Sequence, residues 1–374
     1  MDGGYMNTMY QEYVAQNPVV LQLITGLGVG GAERVVLELS GYLPFSGIHA
    51  VVATINAEPL MIRMLEQYPK ITFPVHRLFV QKNPWSFIKG VIKLLRIIHT
   101  ENITLIHSHM FHALLLALVC KIVKPNLQIV FTSHNSEFFW LRRTLIRITK
   151  AMRDADVIFV TGQHPDMNTA RTVVIPNGVA VDPTKVIVAK KESARRIFLF
   201  VGRLESVKNP IVLVQAFAAM CHQNCELWIA GDGVMRAEVE AEIDKLGIKD
   251  RVKLLGIRSD IPQLLTQVDC FVMCSLWEGL PMAVLEAGAI GLPVVATPVG
   301  ALPELLGDDC GYMVDISQLQ NTLDNVLNDY ANASLRGKRL RDKVINRYSV
   351  ENMSKAHAAL YRSLISNNIA SDLE

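Results

Sequence analysis

The sequence predicts an α/β protein built from two doubly wound domains, each a parallel sheet with helices on both faces. Three observations predict it. Strand-length apolar runs alternate with stretches of helical period along nearly the whole chain. The series breaks near residue 178 and starts again. And 374 residues exceed the roughly 250–300 at which a single core stops growing, so two domains of ordinary size follow.

The first series opens at Val19 with VVLQLITGL. The helical AERVVLELSGYL follows, then the strand HAVVATIN, a charged stretch, the strand ITLIHSH and a further helix. Aliphatic runs without polar alternation mark strands covered on both faces, which a parallel sheet requires. QIVFTSHN and ADVIFVTG add two more, and VVIPNGV ends the series. The first domain is therefore expected over 1–177, with Gly178, Asp182 and Pro183 in a linker of polar residues and a helix breaker.

The second series begins at RIFLFVGRL. It continues through the helix NPIVLVQAFAAM, the strand CELWIAGDG, the helix MRAEVEAEIDKLG, the strand VKLLGI, then DCFVMCS and GLPVVATPVG. Residues 178–350 form this second domain, helical after Asp315, and 351–374 read as a terminal helix that packs back on the first. Two such domains facing each other would enclose a cleft.

Composition narrows the class. Half the residues are hydrophobic and 19% charged, which suits a globular protein, and the net charge of +2 gives no ground for nucleic-acid binding. The apolar run Ala113–Cys120 is cut by Lys121 and Lys124, well short of the roughly 18 residues of a spanning helix. With Asp2 and Glu12 and no apolar leader near the start, a cytosolic location is expected. Six cysteines suit reduced thiols. Cys221-x-x-x-Cys225 with His222, beside Cys270 and Cys274, could mimic a zinc set, but strand alternation puts Cys270 and Cys274 on one packing face.

Gly26-x-Gly28-x-x-Gly31 stands between a strand and a helix and satisfies the dinucleotide fingerprint. Glycines let the backbone approach an anion, and a helix start attracts phosphate, so the motif fits NAD or any diphosphate; a plain tight turn is the ordinary alternative. Against NAD, the next strand ends at Asn56 where a ribose-binding acid belongs, with Glu58 displaced onto the loop. In the second domain Arg203 follows a strand, and Lys208 stands five residues on. Two cations at the carboxyl end of a parallel strand would neutralise a diphosphate, or would form a solvated basic loop.

SLWEGLPMAVLEAGAIGLPVVAT is the sharpest feature. Glu278 lies in a loop and Glu286 in the helix after it, so the carboxylates can serve different ends of one ligand. A carboxylate suits the vicinal hydroxyls of a ribose, and the backbone from Gly279 through Leu280 and Pro281 to Met282, at a helix start, suits phosphate or sugar hydroxyls. Glu286 interrupts an apolar run from Pro281 to Ile290, where an unpaired charge would be costly.

Taken in order, Gly30-Gly31-Ala32-Glu33, Asn177-Gly178-Val179, Val201-Gly202-Arg203-Leu204, Lys208-Asn209-Pro210, Ile229-Ala230-Gly231-Asp232-Gly233 and Ser275-x-x-Glu278-Gly279-Leu280-Pro281 up to Glu286 resemble the retaining GT-B glycosyltransferases of family four. The resemblance covers nearly the whole chain. It implies a nucleotide diphosphate sugar as donor: Glu286 on the ribose, Glu278 near the transferred sugar, and Arg203 and Lys208 on the diphosphate. Gly30 and Gly31 would approach the same phosphates from the other domain, and the backbone at Gly256 and Ile257 would contact the base. A first-domain histidine of the family, which reaches donor sugar or acceptor, matches His134 in FTSHN; His109 in IHSHM is the second candidate, toward an acceptor.

The implied chemistry needs no protein nucleophile. Arg203, Lys208 and helix-start amides would stabilise the departing nucleoside diphosphate, and the acceptor would attack from the face it leaves, a phosphate oxygen taking the proton. No cofactor and no metal is called for; Asp154-Ala155-Asp156 reads as a helix-to-strand junction. A UDP-sugar is favoured as donor and a saccharide or lipid-linked glycan as acceptor, in bacterial surface polysaccharide, lipopolysaccharide or glycolipid synthesis. WSFIKGVIKLLRIIH and WLRRTLIRITKAMR are helical in period and basic. They suit covering helices or peripheral contact with an anionic membrane at the inner face of the cell membrane. The rival enzyme readings are an epimerase acting on a nucleotide sugar and an NAD-dependent dehydrogenase; a catalytically silent sugar-nucleotide binder is a third.

Overall fold

The computed structural model describes residues 18–28, 30–56, 73–81, 83–134, 140–161, 163, 168–181 and 195–371. Asp2, Glu12, Glu58, Asp182 and Pro183 lie outside them. The chain divides into two compact units: Met1–Gly178 with Val350–Glu374, and Val179–Ser349.

Unit 1 carries the strands β1 (Val19–Ile24), β2 (His49–Thr54), β3 (Val75–Arg77), β4 (Leu105–His109), β5 (Gln128–Thr132), β6 (Ala155–Ile158) and β7 (Thr172–Val174). They form one parallel sheet in the order β3-β2-β1-β4-β5-β6-β7. β1, β2, β4 and β5 are buried along their whole length, as their unbroken apolar runs require. β3 emerges from the charged stretch in which sequence reading finds no strand: three half-buried residues at the sheet edge carry too little apolar signal.

Alternation along the strands gives the two faces different tasks. On one, Leu21, Leu23, Ile106, Ile129 and Phe131 pack with Leu94, Ile98, Leu114 and Leu118 of the helices Pro84–Thr100 and Phe111–Val123. The first of those helices starts where its sequence says it should: Asn83 caps it by accepting from Ser86 N–H at 2.8 Å, and Pro84 follows. On the other face Ile24 and Val52 meet Val36 and Leu37 of the helix Gly31–Tyr42. The helix Val350–Ser371 packs beside that one and beside the turn Leu43–Ser46. Arg362 donates to the Ser46 carbonyl, and Gly178 N–H to Met353 Sδ at 3.1 Å.

Unit 2 carries β8 (Arg196–Val201), β9 (Cys225–Ala230), β10 (Val252–Gly256), β11 (Cys270–Met273), β12 (Val294–Ala296) and β13 (Tyr312–Met313). All pair in parallel, in the order β10-β9-β8-β11-β12-β13. Its core joins Phe198, Phe200, Leu213, Phe217, Leu227, Ile229, Val272 and Val295. The helix Met282–Ala289 lies close on the helix Tyr330–Arg347: a Cβ on Gly288 would come within 2.9 Å of Leu340 and Val344. In both sheets the strand order reverses once, between β1 and β4 in unit 1 and between β8 and β11 in unit 2. Ligands of doubly wound sheets bind outside the carboxyl ends of the strands at such switch points.

Candidate active site

The switch point of unit 2 is where the charged residues gather. Arg203 and Lys208 lie on the loop that leaves β8, and Glu278 on the loop that leaves β11. Lys208 Nζ donates to Glu278 Oε1, joining the two loops; the side chains are 19% and 11% exposed. Leu276 N–H to the Val207 carbonyl, at 2.8 Å, ties the same loops through the backbone. An ammonium has three N–H donors, so holding Glu278 occupies one of them. Arg203, 69% exposed, pairs with Glu205 at 2.9 Å on its own loop.

Backbone packing holds these loops in place. Gly231 has φ +147, and a Cβ there would stand 1.9 Å from the Gly202 carbonyl oxygen; one on Gly233 would stand 2.4 Å from the Leu204 oxygen. The Gly231-Asp232-Gly233 loop after β9 thus lies backbone to backbone on the arginine loop, and Leu204 N–H donates to the Asp232 carbonyl at 2.9 Å. On the opposite flank Gly300 (φ +57) presses on the carbonyls of Glu278 and Gly279, each 2.3 Å from a Cβ built there, and Ala301 N–H donates to Gly279 at 2.9 Å. Glu278 is therefore wedged between the loops after β8 and β12.

Glu286 sits one turn into the helix Met282–Ala289, for which Pro281 is the N-cap, and is 7% exposed. Gly279 and Leu280 bridge from Glu278 to that helix. Gly256 ends β10 with φ +65, its carbonyl accepting from Gly231 N–H at 2.8 Å, while Ile257 beside it is 56% exposed. All these unit 2 positions share one end of the sheet, the carboxyl ends of β8, β10 and β11.

In unit 1, Gly30 is the N-cap and Gly31 the first residue of the helix after β1. The Glu33 carboxylate folds back over Gly30, its Oε2 2.2 Å from where a Cβ would be. Across the switch point, His109 ends β4, and both its ring nitrogens are engaged: Nδ1 with His134 Nε2 at 2.9 Å and Nε2 with Gln22 Oε1 at 2.8 Å. His109 is 1% exposed; His134, after β5, is partly exposed.

Behind this pair runs a chain that sequence reading did not assemble. Gln22 Nε2 donates to Tyr361 Oη at 3.2 Å, Tyr361 Oη meets His107 Nδ1 at 2.6 Å, and His107 Nε2 meets Thr132 Oγ1 at 2.7 Å. Register explains the strand members. Gln22 pairs with His107 and His109 with Thr132, so alternation sets all four on one face of the sheet. Tyr361 arrives on the helix Val350–Ser371, with His357 one turn earlier bonding the Met353 carbonyl at 2.9 Å. The available signal was Gln22 itself, a polar residue inside the apolar run VVLQLI, which must find a partner when buried.

Burial sets the charge state of the imidazoles. It pushes His107 and His109 well below the ordinary histidine value, helped by neighbouring rings, and takes His134 to about 3 and His357 to about 4. The cluster is neutral at physiological pH. Elsewhere, Asp154 accepts from Ile129 N–H at 2.7 Å and Lys121 at 2.5 Å, and Asp156 holds Arg153 through both oxygens at 2.9 and 3.0 Å. Cys225, Cys270 and Cys274 are buried and Cys221 exposed. Among the described residues no three or more His, Cys, Asp or Glu are gathered to hold a metal ion.

A family model described as Glycosyltransferase Family 4 matches residues 29–183, and one described as Glycosyl transferases group 1 matches 183–346. UDP-Gal:alpha-D-GlcNAc-diphosphoundecaprenol alpha-1,3-galactosyltransferase of Escherichia coli is 24% identical over 75% of this chain and 80% of its own. N-acetyl-alpha-D-glucosaminyl L-malate synthase of Bacillus anthracis is 25% identical over 90% of this chain and 95% of its own. The crystal structure of Alr3699/HepE from Anabaena in complex with UDP and glucose matches with TM-score 0.80 at 21% identity, over 93% of this chain and all of that one, a likeness of fold. With its two domain models matched in succession over most of its length and two parallel α/β sheets of the expected kind, the chain belongs to family 4 of the glycosyltransferases, retaining enzymes of GT-B fold.

Proposed function

We propose that the protein transfers a hexosyl-type sugar from a UDP-sugar to a saccharide or lipid-linked acceptor in bacterial surface polysaccharide or glycolipid synthesis. The observation that carries this reading is the unit 2 switch point, where Lys208 is paired with Glu278 and the buried acid Glu286 lies one turn into the helix beyond. In this reading Glu286 accepts from the ribose hydroxyls, and the backbone at Gly256 and Ile257 meets the base. Lys208 and Arg203 neutralise the diphosphate as it leaves, Arg203 by turning its exposed guanidinium from Glu205. Glu278 orients Lys208 and, with the backbone from Gly279 to Pro281, meets the transferred sugar. Within unit 1 taken by itself, Gly30 and Gly31 at their helix start suit a phosphate, and His134 suits a hydroxyl of the sugar or acceptor.

Two similar proteins support the donor and acceptor classes. The Escherichia coli relative is named for a UDP-galactose donor and a diphosphoundecaprenol-linked acceptor, and the Anabaena structure holds UDP and glucose. For a lipid-linked acceptor, unit 1 offers a suitable face: Trp85, Ile88 and Ile92 are exposed on the helix Pro84–Thr100 beside exposed Lys89, Lys93 and Arg96. Apolar and cationic side chains on one helix suit an anionic bilayer surface. Among the described residues no helix is long and apolar enough to cross a membrane. Membership of a glycosyltransferase family leaves the epimerase and dehydrogenase readings without support.

A thermal-shift screen against UDP-, GDP- and ADP-sugars tests the donor class, because a ligand that binds only the folded state raises its melting temperature. UDP-sugars are expected to give the largest shift; a larger one with GDP- or ADP-sugars would overturn the donor assignment.

A further inference from the structure

We propose that Gln22, Tyr361 and His107 are positioning residues for His134, acting through His109 to keep its proton on Nε2 and to leave Nδ1 as a hydrogen-bond acceptor for a substrate hydroxyl. The inference rests on the reading that places His134 at the donor sugar or acceptor.

The argument follows the direction of each hydrogen bond. Gln22 turns its Oε1 to His109 and its Nε2 to Tyr361. An amide oxygen only accepts, so His109 Nε2 carries a proton and donates. In a neutral ring His109 Nδ1 is then bare, and the 2.9 Å contact is completed by a proton on His134 Nε2. From the other end of the amide, Nε2 donates to Tyr361 Oη, so the phenolic hydrogen is free to point at His107 Nδ1, and His107 Nε2–H donates to Thr132 Oγ1. Every link has one donor and one acceptor, all in one direction, from His134 to Thr132. Turning the Gln22 amide over would reverse every link and move the His134 proton to Nδ1. One side chain thus selects between two states of His134, five hydrogen bonds from Thr132 and at the partly exposed end of the chain.

Burial makes the selection firm. Gln22, His107, Tyr361 and His109 are each at most 1% exposed, so no water competes for their donors and acceptors. The rings of His107 and His109 lie 4.0 Å apart at their centroids, and those of His109 and His134 lie 5.2 Å apart with their planes 28° apart, joined edge to edge by the hydrogen bond, so the orientation of His134 is fixed as well as its tautomer. Tyr361 stands 339 residues from Gln22 and enters on the C-terminal helix, which gives that helix a part in orienting the site beyond covering the sheet.

The test uses the full chain labelled with 15N-histidine, and two-bond proton–nitrogen correlation spectra report which ring nitrogen carries each proton. In the wild type, His134, His109 and His107 are expected with the proton on Nε2. Tyr361→Phe keeps the ring and severs the Gln22–His107 link. Mixed tautomers at His109 and His134 are expected, with kcat for UDP release lowered about tenfold and KM within about twofold. UDP release is read on whichever of UDP-glucose, UDP-galactose and UDP-N-acetylglucosamine the wild type turns over. A wild-type proton on His134 Nδ1 overturns the proposal, as does a Tyr361→Phe chain with unchanged tautomers and kcat. If Tyr361→Phe does not fold, the wild-type spectrum decides alone and Gln22→Met repeats the kinetic test. His134→Ala separates the two levels: unchanged UDP release there removes the role of His134 and the proposal with it. A loss in His134→Ala with none in Tyr361→Phe removes the positioning role alone.

Discussion

Lowering the pH from 7 to 5 should cost unit 1 about 6 kcal/mol of stability. His107, His109 and His357 are at most 4% exposed, and burial holds all three well below the ordinary histidine value, His357 at about 4. The unfolded chain takes up a proton on each near pH 6.5 while the folded chain refuses it. Between about pH 4 and 6.5 the unfolded state therefore binds more protons, and stability falls as pH falls through that window. Each group loses about 1.4 kcal/mol per pH unit below 6.5, or about 2 kcal/mol between pH 7 and 5, and the three together about 6 kcal/mol. Domains are stable by roughly 5–15 kcal/mol, so the effect is decisive. Urea denaturation followed by tryptophan fluorescence at pH 7, 6 and 5 measures it, with Trp228 and Trp277 of unit 2 replaced by Phe so that Trp85 and Trp140 of unit 1 give the signal. His357→Gln should remove one group and flatten the dependence by about 2 kcal/mol over the same range. Denaturation midpoints that do not change between pH 7 and 5, or a His357→Gln chain with the wild-type slope, would refute the reasoning.

Glu286→Ala should weaken UDP binding by about 1.5–3 kcal/mol, the contribution of a charge-assisted hydrogen bond, as isothermal calorimetry would measure. Lys208→Ala leaves the carboxylate of Glu278, 11% exposed, without its ammonium and should destabilise unit 2 by about 1–3 kcal/mol. Lys208→Ala with Glu278→Ala should recover that stability in a melting experiment while transfer stays lost. Arg203→Ala with Lys208→Ala should nearly abolish transfer; preserved turnover would remove the diphosphate assignment. Gly231→Ala forces a Cβ to 1.9 Å from a carbonyl oxygen at φ +147 and should cost more than about 3 kcal/mol, visible as loss of soluble folded chain. EDTA should leave the rate of UDP release unchanged.

The sheets were legible because strands covered on both faces are continuous apolar runs, and β1, β2, β4 and β5 are of this kind. β3 and β13 were not, being edge strands of three and two residues without such a run. Arg203, Lys208, Glu278 and Glu286 stood out as charges beside strand ends or inside apolar sequence. What no local pattern encodes is pairing. Lys208 and Glu278 are 70 residues apart, Gln22 and Tyr361 339, and only the strand order and the return of the last helix to unit 1 bring each pair together. Gln22 and His107 carried half of the signal, as polar residues in buried strands, but their shared partner lies on a helix whose sequence does not mark it.

The central claim is that the cations and the buried acid at the carboxyl end of the unit 2 sheet hold a nucleoside diphosphate. A crystal structure of the chain soaked with UDP tests it most directly. Glu286 should lie within hydrogen-bond distance of both ribose hydroxyls, with Lys208 Nζ and the Arg203 guanidinium on the diphosphate. UDP bound with its ribose away from Glu286 and its phosphates away from Lys208 would contradict the claim.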